Sequence, residues 1–157
     1  MLQRIQTIYL LIASISMLLA SILPLARFAL PNGDILTFEA MGVYLNGTIT
    51  DSTWALMAVG AITTLIALLT IFLYKARVLQ IRLTILNALL MVGFYLYAGF
   101  LYFRVVTSPQ FAQHESMLSG GISFAVVFPF VAIVMSVLAI RRIYADEALV
   151  RSLSRLR

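Results

Sequence analysis

Few side chains in this sequence are equipped for chemistry, and most of them stand alone. His114 is the one histidine, and with Glu115 beside it the pair could supply a general base or one metal ligand. A zinc site takes three or four ligands at characteristic spacings. No second histidine or cysteine pair accompanies this one, so a solvated loop histidine is the simpler reading. The absence of cysteine removes disulfides, thiol redox chemistry and thiolate metal sites together. The sequence has no nucleophile elbow, no phosphate-cradling glycine loop and no paired carboxylates within an apolar run. Catalytic, metal and cofactor sites are therefore not expected. An enzyme working on lipids at an interface would have only Glu39, Asp51, His114 and Glu115 to use.

Two further residues sit inside apolar runs. Asn87 could bind a ligand, or hydrogen-bond across helices at about 0.6–2 kcal/mol. Packing is the favoured role, because no second strongly polar group lies near it in sequence. Pro129 deletes a backbone donor and frees the carbonyl of Ala125, which predicts a kink.

The elements carrying these residues follow from composition. Of the 157 residues, 62% are hydrophobic and 11% charged, against roughly 45–50% and about 25% in soluble domains. So much apolar surface cannot be hidden in water at this length, which makes lipid the solvent. Four uncharged runs stand out: Ile5–Leu25, Trp54–Tyr74, Leu83–Phe103 and Gly121–Ile140. Each is near the roughly 20 residues that cross a hydrocarbon core. The first is longer than a signal-peptide core and passes through Pro24 into Arg27, so a retained helix is expected. The fold class predicted is an all-α membrane protein, a single four-helix transmembrane bundle.

Charge sets the expected orientation. Arg4, Lys75, Arg77, Arg82, Arg141, Arg142, Arg151, Arg155 and Arg157 fall on one side of a four-span arrangement, and only Arg27 and Arg104 on the other. Short loops rich in Lys and Arg stay in the cytoplasm, which places both termini there. The net charge of +5 lies in tracts beside apolar runs and not on a water-exposed face, so nucleic acid is not an expected partner. In the first outer loop, residues 35–39 and 43–45 read as short strands, with turn chemistry at Pro31-Asn32-Gly33-Asp34 and Asn46-Gly47. A small β-hairpin capping the bundle is predicted there.

Small residues four apart, Ser16/Ala20, Gly60/Thr64 and Ala132/Ser136, suit close helix approach within this bundle or against a partner. Gly60, Asn87, Ala132 and Ser136 are the helix-packing candidates. From Ala145 onward, Leu149, Ser152, Leu153 and Leu156 share a helical face while Glu147, Arg151 and Arg155 point away. A short amphipathic C-terminal helix is predicted, and Leu149, Arg151, Leu153, Arg155 and Leu156 are the docking candidates. Such a helix could dock on a protein, lie on headgroups, or serve only as a basic topology signal.

Three stretches carry a resemblance: Met1–Leu11; Leu73–Arg82 with Ile85-Leu86-Asn87; and Ala145–Arg157. Together they resemble the Bacteroidetes membrane-protein family known as domain-of-unknown-function family 4293. That resemblance implies a bacterial inner membrane location and four spans, and it implies no activity and no site residues. The leading functional expectation is a non-catalytic accessory or assembly subunit, with the bilayer and a membrane-protein partner or second copy as contacts. The alternative is a transporter or channel component for a small neutral or apolar molecule, and an interfacial lipid-acting enzyme comes third.

Overall fold

A computed structural model describes residues 2–30, 33–74, 76–108 and 119–154, with side chains for all but 2–4, 119 and 149–154. Helix α1 spans Leu2–Ile22 and leads into strands β1 (Ala26–Ala29), β2 (Ile35–Phe38), β3 (Gly42–Leu45) and β4 (Thr48–Ser52). Helices α2 (Trp54–Phe72) and α3 (Arg77–Val106) follow, then β5 (Ser119–Ile122), a 3-10 turn at Phe124–Val126, and α4 (Val127–Ser154). Four helices among the described residues are long and apolar enough to cross a membrane.

The helices form an antiparallel bundle in which α1 and α3 each pack on both α2 and α4. Their outward faces are apolar over the middle of each helix: Ile8, Leu11, Ile15 and Leu18 on α1, Leu65 and Leu69 on α2, Leu89 and Leu96 on α3, Phe130 and Val134 on α4. Such an exterior suits lipid and not water.

The helix boundaries differ from those the hydropathy predicts, each for a local reason. Helix α1 stops at Ile22, ahead of Pro24, and Leu25 joins the sheet core. Helix α3 runs 30 residues, beginning at Arg77 in place of Leu83, because Arg-Val-Leu-Gln-Ile-Arg holds no helix breaker. Residues 121 and 122, apolar enough to read as a span, are strand. Pro129 is the third residue of α4. At that position its missing N–H lies in the first turn, where donors lack intrahelical partners in any case, so the expected kink has no cause. The predicted separate C-terminal helix is instead the continuation of α4, since nothing between Phe130 and Ser154 breaks it.

The predicted hairpin is present as β2–β3, but it is part of a five-stranded antiparallel sheet in the order β4-β3-β2-β1-β5, so the fold is not all-α. The β3–β4 turn is Asn46-Gly47, both with positive φ (50° and 83°), the geometry that suits a two-residue hairpin. Strand β5 pairs with β1 from the far end of the chain, Ala26 opposite Ile122 and Ala29 opposite Ser119. Gly120, at φ 128°, lies against the Arg27 carbonyl, where a Cβ would collide.

Backbone bonds seat the sheet on the helix ends: Leu25 N–H donates to Phe38 O (2.8 Å), Met57 N–H to Ala40 O (3.1 Å) and Ser123 N–H to Leu25 O (2.9 Å). The core is continuous from Met17, Ala20, Leu56, Met91 and Phe94 on the helices to Phe28, Leu36, Phe38 and Val43 on the sheet.

Candidate functional site

Inside the bundle, the helices turn small and polar residues towards one another. Gln6, Ser14, Ser16 and Ser21 of α1 are buried, as are Thr63, Thr64 and Thr70 of α2, Gln80, Thr84 and Asn87 of α3, and Ser136 of α4. Most of the hydroxyls are occupied within their own helix. Thr64 donates to Gly60 O (2.8 Å), Thr70 to Ile66 O (2.6 Å), Thr84 to Gln80 O (2.8 Å) and Ser21 to Met17 O (2.9 Å). Other bonds cross between helices. Gln80 Nε2 donates to Thr70 O (3.2 Å), Ser136 Oγ to Met91 Sδ (3.4 Å), and Gln6 Nε2 to Asp146 Oδ2 (2.9 Å). Asn87 Oδ1 is buried and, among the described residues, has no hydrogen-bond partner.

This seam alters the reading of Asn87, which is far from isolated. Gln80, Thr84 and Asn87 lie at i, i+4 and i+7 on α3, one face of a helix. That spacing is the signal present in the sequence, and it carries no charge because amides and hydroxyls are neutral.

Under the sheet lies an apolar pocket of about 210 Å³, walled by Leu25 and Phe38, by Phe94, Tyr95, Ala98 and Tyr102 of α3, and by Ile122, Val126 and Pro129. Phe38 and Phe94 form its buried side, each 1% exposed, while Tyr95 and Ile122 are at its open side. The spacing of 95, 98 and 102 follows one face of α3, but the pocket exists only because β5 folds back onto β1. No local pattern could have revealed it.

At the opposite end is an open cleft of about 500 Å³ lined by Ala76, Arg77, Val78, Leu79, Arg82 and Glu147. It opens between the start of α3 and the later turns of α4. Arg77 Nη1 is buried there without a hydrogen-bond partner among the described residues. Ala76 gives α3 no side-chain cap, and its first turn holds no acid.

The family model described as a domain of unknown function, DUF4293, matches residues 2–156. The chain belongs to that family. No curated protein and no solved structure matches it.

The sequence-derived candidates divide into three groups. Gly60, Asn87, Ala132 and Ser136 all lie buried between helices, and Gly60 faces the Ser21 side chain and the Phe94 ring. Thr64, paired with Gly60, is buried too, as are Ser16 and Ala20 of the remaining pair. Leu149, Arg151 and Leu153 lie on α4, while Arg155 and Leu156 fall outside the described residues, as do His114 and Glu115. Glu39 lies between β2 and β3, and Asp51 is exposed on β4. Gln6, Gln80 and Asp146 of the seam, and Arg77 and Arg82 of the cleft, were not singled out beforehand.

Proposed function

We propose that the protein is a non-catalytic accessory or assembly subunit of a larger membrane complex, with its charged end in the cytoplasm of a bacterial cell. One observation carries this reading. Glu147 shares a cleft with Ala76 and Arg77 and so lies level with the α2–α3 turn, yet α4 continues as unbroken helix to Ser154. That continuation adds about 10 Å at about 1.5 Å per residue. A helix this short is marginal by itself in water. Rooted in a membrane-spanning helix, it is held ready for a partner, with Leu149, Arg151 and Leu153 along it. The positive end supports the cytoplasmic orientation.

The test compares the proteins that co-purify, in stoichiometric amount, with the intact chain, with a chain ending after Glu147, and with the Arg151→Lys/Arg155→Lys double variant. Ending at Glu147 preserves the Gln6–Asp146 bond and the cleft, so loss of a partner reports on the arm alone. A guanidinium fork on a carboxylate is not reproduced by lysine, so the double variant is expected to weaken the partner as well. An unchanged set of partners in the shortened chain removes the docking role.

A second reading, a carrier for a small neutral or apolar molecule, is supported by the pocket beneath the sheet. Filling it with Ala98→Trp would then abolish retention of that molecule, seen by mass spectrometry of the gently extracted protein, while leaving the arm's partners in place.

A further inference from the structure

We propose that the pocket beneath the sheet holds a segment of one hydrocarbon chain of a membrane phospholipid, entering sideways from the bilayer. The inference deepens the carrier reading and rests on it for the premise that this pocket takes a guest. Its volume of about 210 Å³ is room for about seven water-sized groups, and a methylene is close to that size. Water itself is a poor occupant. The buried walls at Leu25, Phe38 and Phe94 are apolar, and cavities lined in this way stay dry. Left empty, those walls forfeit dispersion contacts on one side. A hydrocarbon guest restores them.

Gly99 shows where the guest comes from. It is exposed, it lines the pocket, and a Cβ there would meet no atom within 4 Å. The wall is therefore low at this point of α3. Leu96 and Phe103 stand three residues before and four residues after it, which puts them on the same face of the helix. They are 69% and 67% exposed, so the mouth opens onto the apolar exterior that suits lipid. Ile122 of β5 lines the same pocket and is exposed as well. Depth agrees with this. Arg104, exposed in the last turn of α3, lies about 8 Å beyond Gly99 at about 1.5 Å per residue. Flanking charge of that kind marks the level of the headgroups, and the pocket lies on the hydrocarbon side of it. Any free apolar molecule would have to compete with phospholipid chains, which are present at such a mouth in bulk.

Hydrocarbon is common to a lipid chain and to a free apolar molecule, so the experiment uses both. The full chain is reconstituted into phosphatidylcholine vesicles carrying a trace of one of two photoreactive probes. One is phosphatidylcholine with a diazirine midway along an acyl chain, and the other is decane bearing the same group. After illumination, labelled residues are mapped by mass spectrometry of peptides. Labelling at Phe94, Tyr102 and Val126 of the pocket is compared with that at Leu65 and Leu69 on the outward face of α2. The lipid probe is expected to favour the pocket at least about fivefold, a preference of about 1 kcal/mol. Gly99→Trp, which places a large side chain at the mouth, is expected to abolish that preference. Gly93→Trp is expected to keep it, because Gly93 is also an exposed glycine of α3 with open space at its Cβ but lies outside the pocket. Neither variant is expected to melt below the parent, since each replaces a helical glycine and meets no neighbour. A lost preference then reports on the mouth and not on the fold. Even labelling of pocket and outward face by the lipid probe, or equal losses in the two glycine variants, would overturn the chain assignment. A preference shown by the decane probe alone would overturn it while leaving the carrier reading in place, and a preference shown by neither probe would overturn both.

Discussion

The two ends of the bundle are built on opposite plans. At one end five strands close over the helices, pair their backbone groups with each other, and bury Phe28, Leu36 and Phe38 against the helix ends. The cavity left there is lined almost wholly by apolar groups. At the other end, among the described residues, no sheet covers the helices. A side-chain bond from Gln6 to Asp146 ties α1 to α4, and a guanidinium nitrogen of Arg77 has no acceptor among the described residues. The lesson is a division of labour along one bundle. Where polar groups satisfy each other the structure is closed, and where they are left over it is open.

Phe38 offers the strongest way to break this comparison. It is 1% exposed and packs at the junction of sheet and helices. Phe38→Ala is expected to cost about 3–5 kcal/mol, the range for deleting a buried phenyl ring. Denaturant titration in detergent checks it, and a loss below about 1 kcal/mol would mean that the sheet is a loose cover. Next in size is Gly60→Leu. The new side chain would run into Ser21 of α1 and the Phe94 ring of α3, so overpacking by about 1–3 kcal/mol is expected. No loss there would show that the helices can separate without cost. Gln6→Ala addresses the open end, where one part-buried bond to Asp146 is at stake. About 0.5–1.5 kcal/mol is expected by the same titration, and a loss as large as that of Phe38→Ala would erase the contrast between the ends.

How much of this was legible beforehand depends on distance along the chain. The four helices could be read from hydropathy because lipid demands about 20 apolar residues in one stretch. The β2–β3 hairpin could be read from alternation and turn residues, both local signals. Strand β5 could not, since Ser-Gly-Gly-Ile has little strand character and is held by pairing with β1 across most of the chain. The pocket and the cleft have the same origin: Leu25 shares a pocket with Ile122, and Arg77 a cleft with Glu147, only after the bundle forms. The seam is an intermediate case. Its spacing is visible in α3, but which helical face is inside cannot be decided while every face is apolar enough for lipid.

Asn87 gives the smallest and most informative effect. It is 1% exposed, about a third of the way along α3 from Arg77, and its Oδ1 lacks a hydrogen-bond partner among the described residues. A buried acceptor left unsatisfied costs about 1–3 kcal/mol relative to one that is paired. Leucine has nearly the same volume and no polar atom, so Asn87→Leu removes that cost and keeps the packing. The expected outcome is therefore unchanged stability or a gain of up to about 1 kcal/mol, measured as a melting shift in detergent. Glue between helices would give the opposite sign, because interhelical hydrogen bonds contribute about 0.6–2 kcal/mol and their loss lowers stability. A fall of that size would show that the amide is satisfied in the membrane, by water or by a rotated neighbour such as Thr84 or Ser136. The interior would then share the closed plan of the sheet end. A gain would place Asn87 with Arg77, as a polar group the fold holds without satisfying.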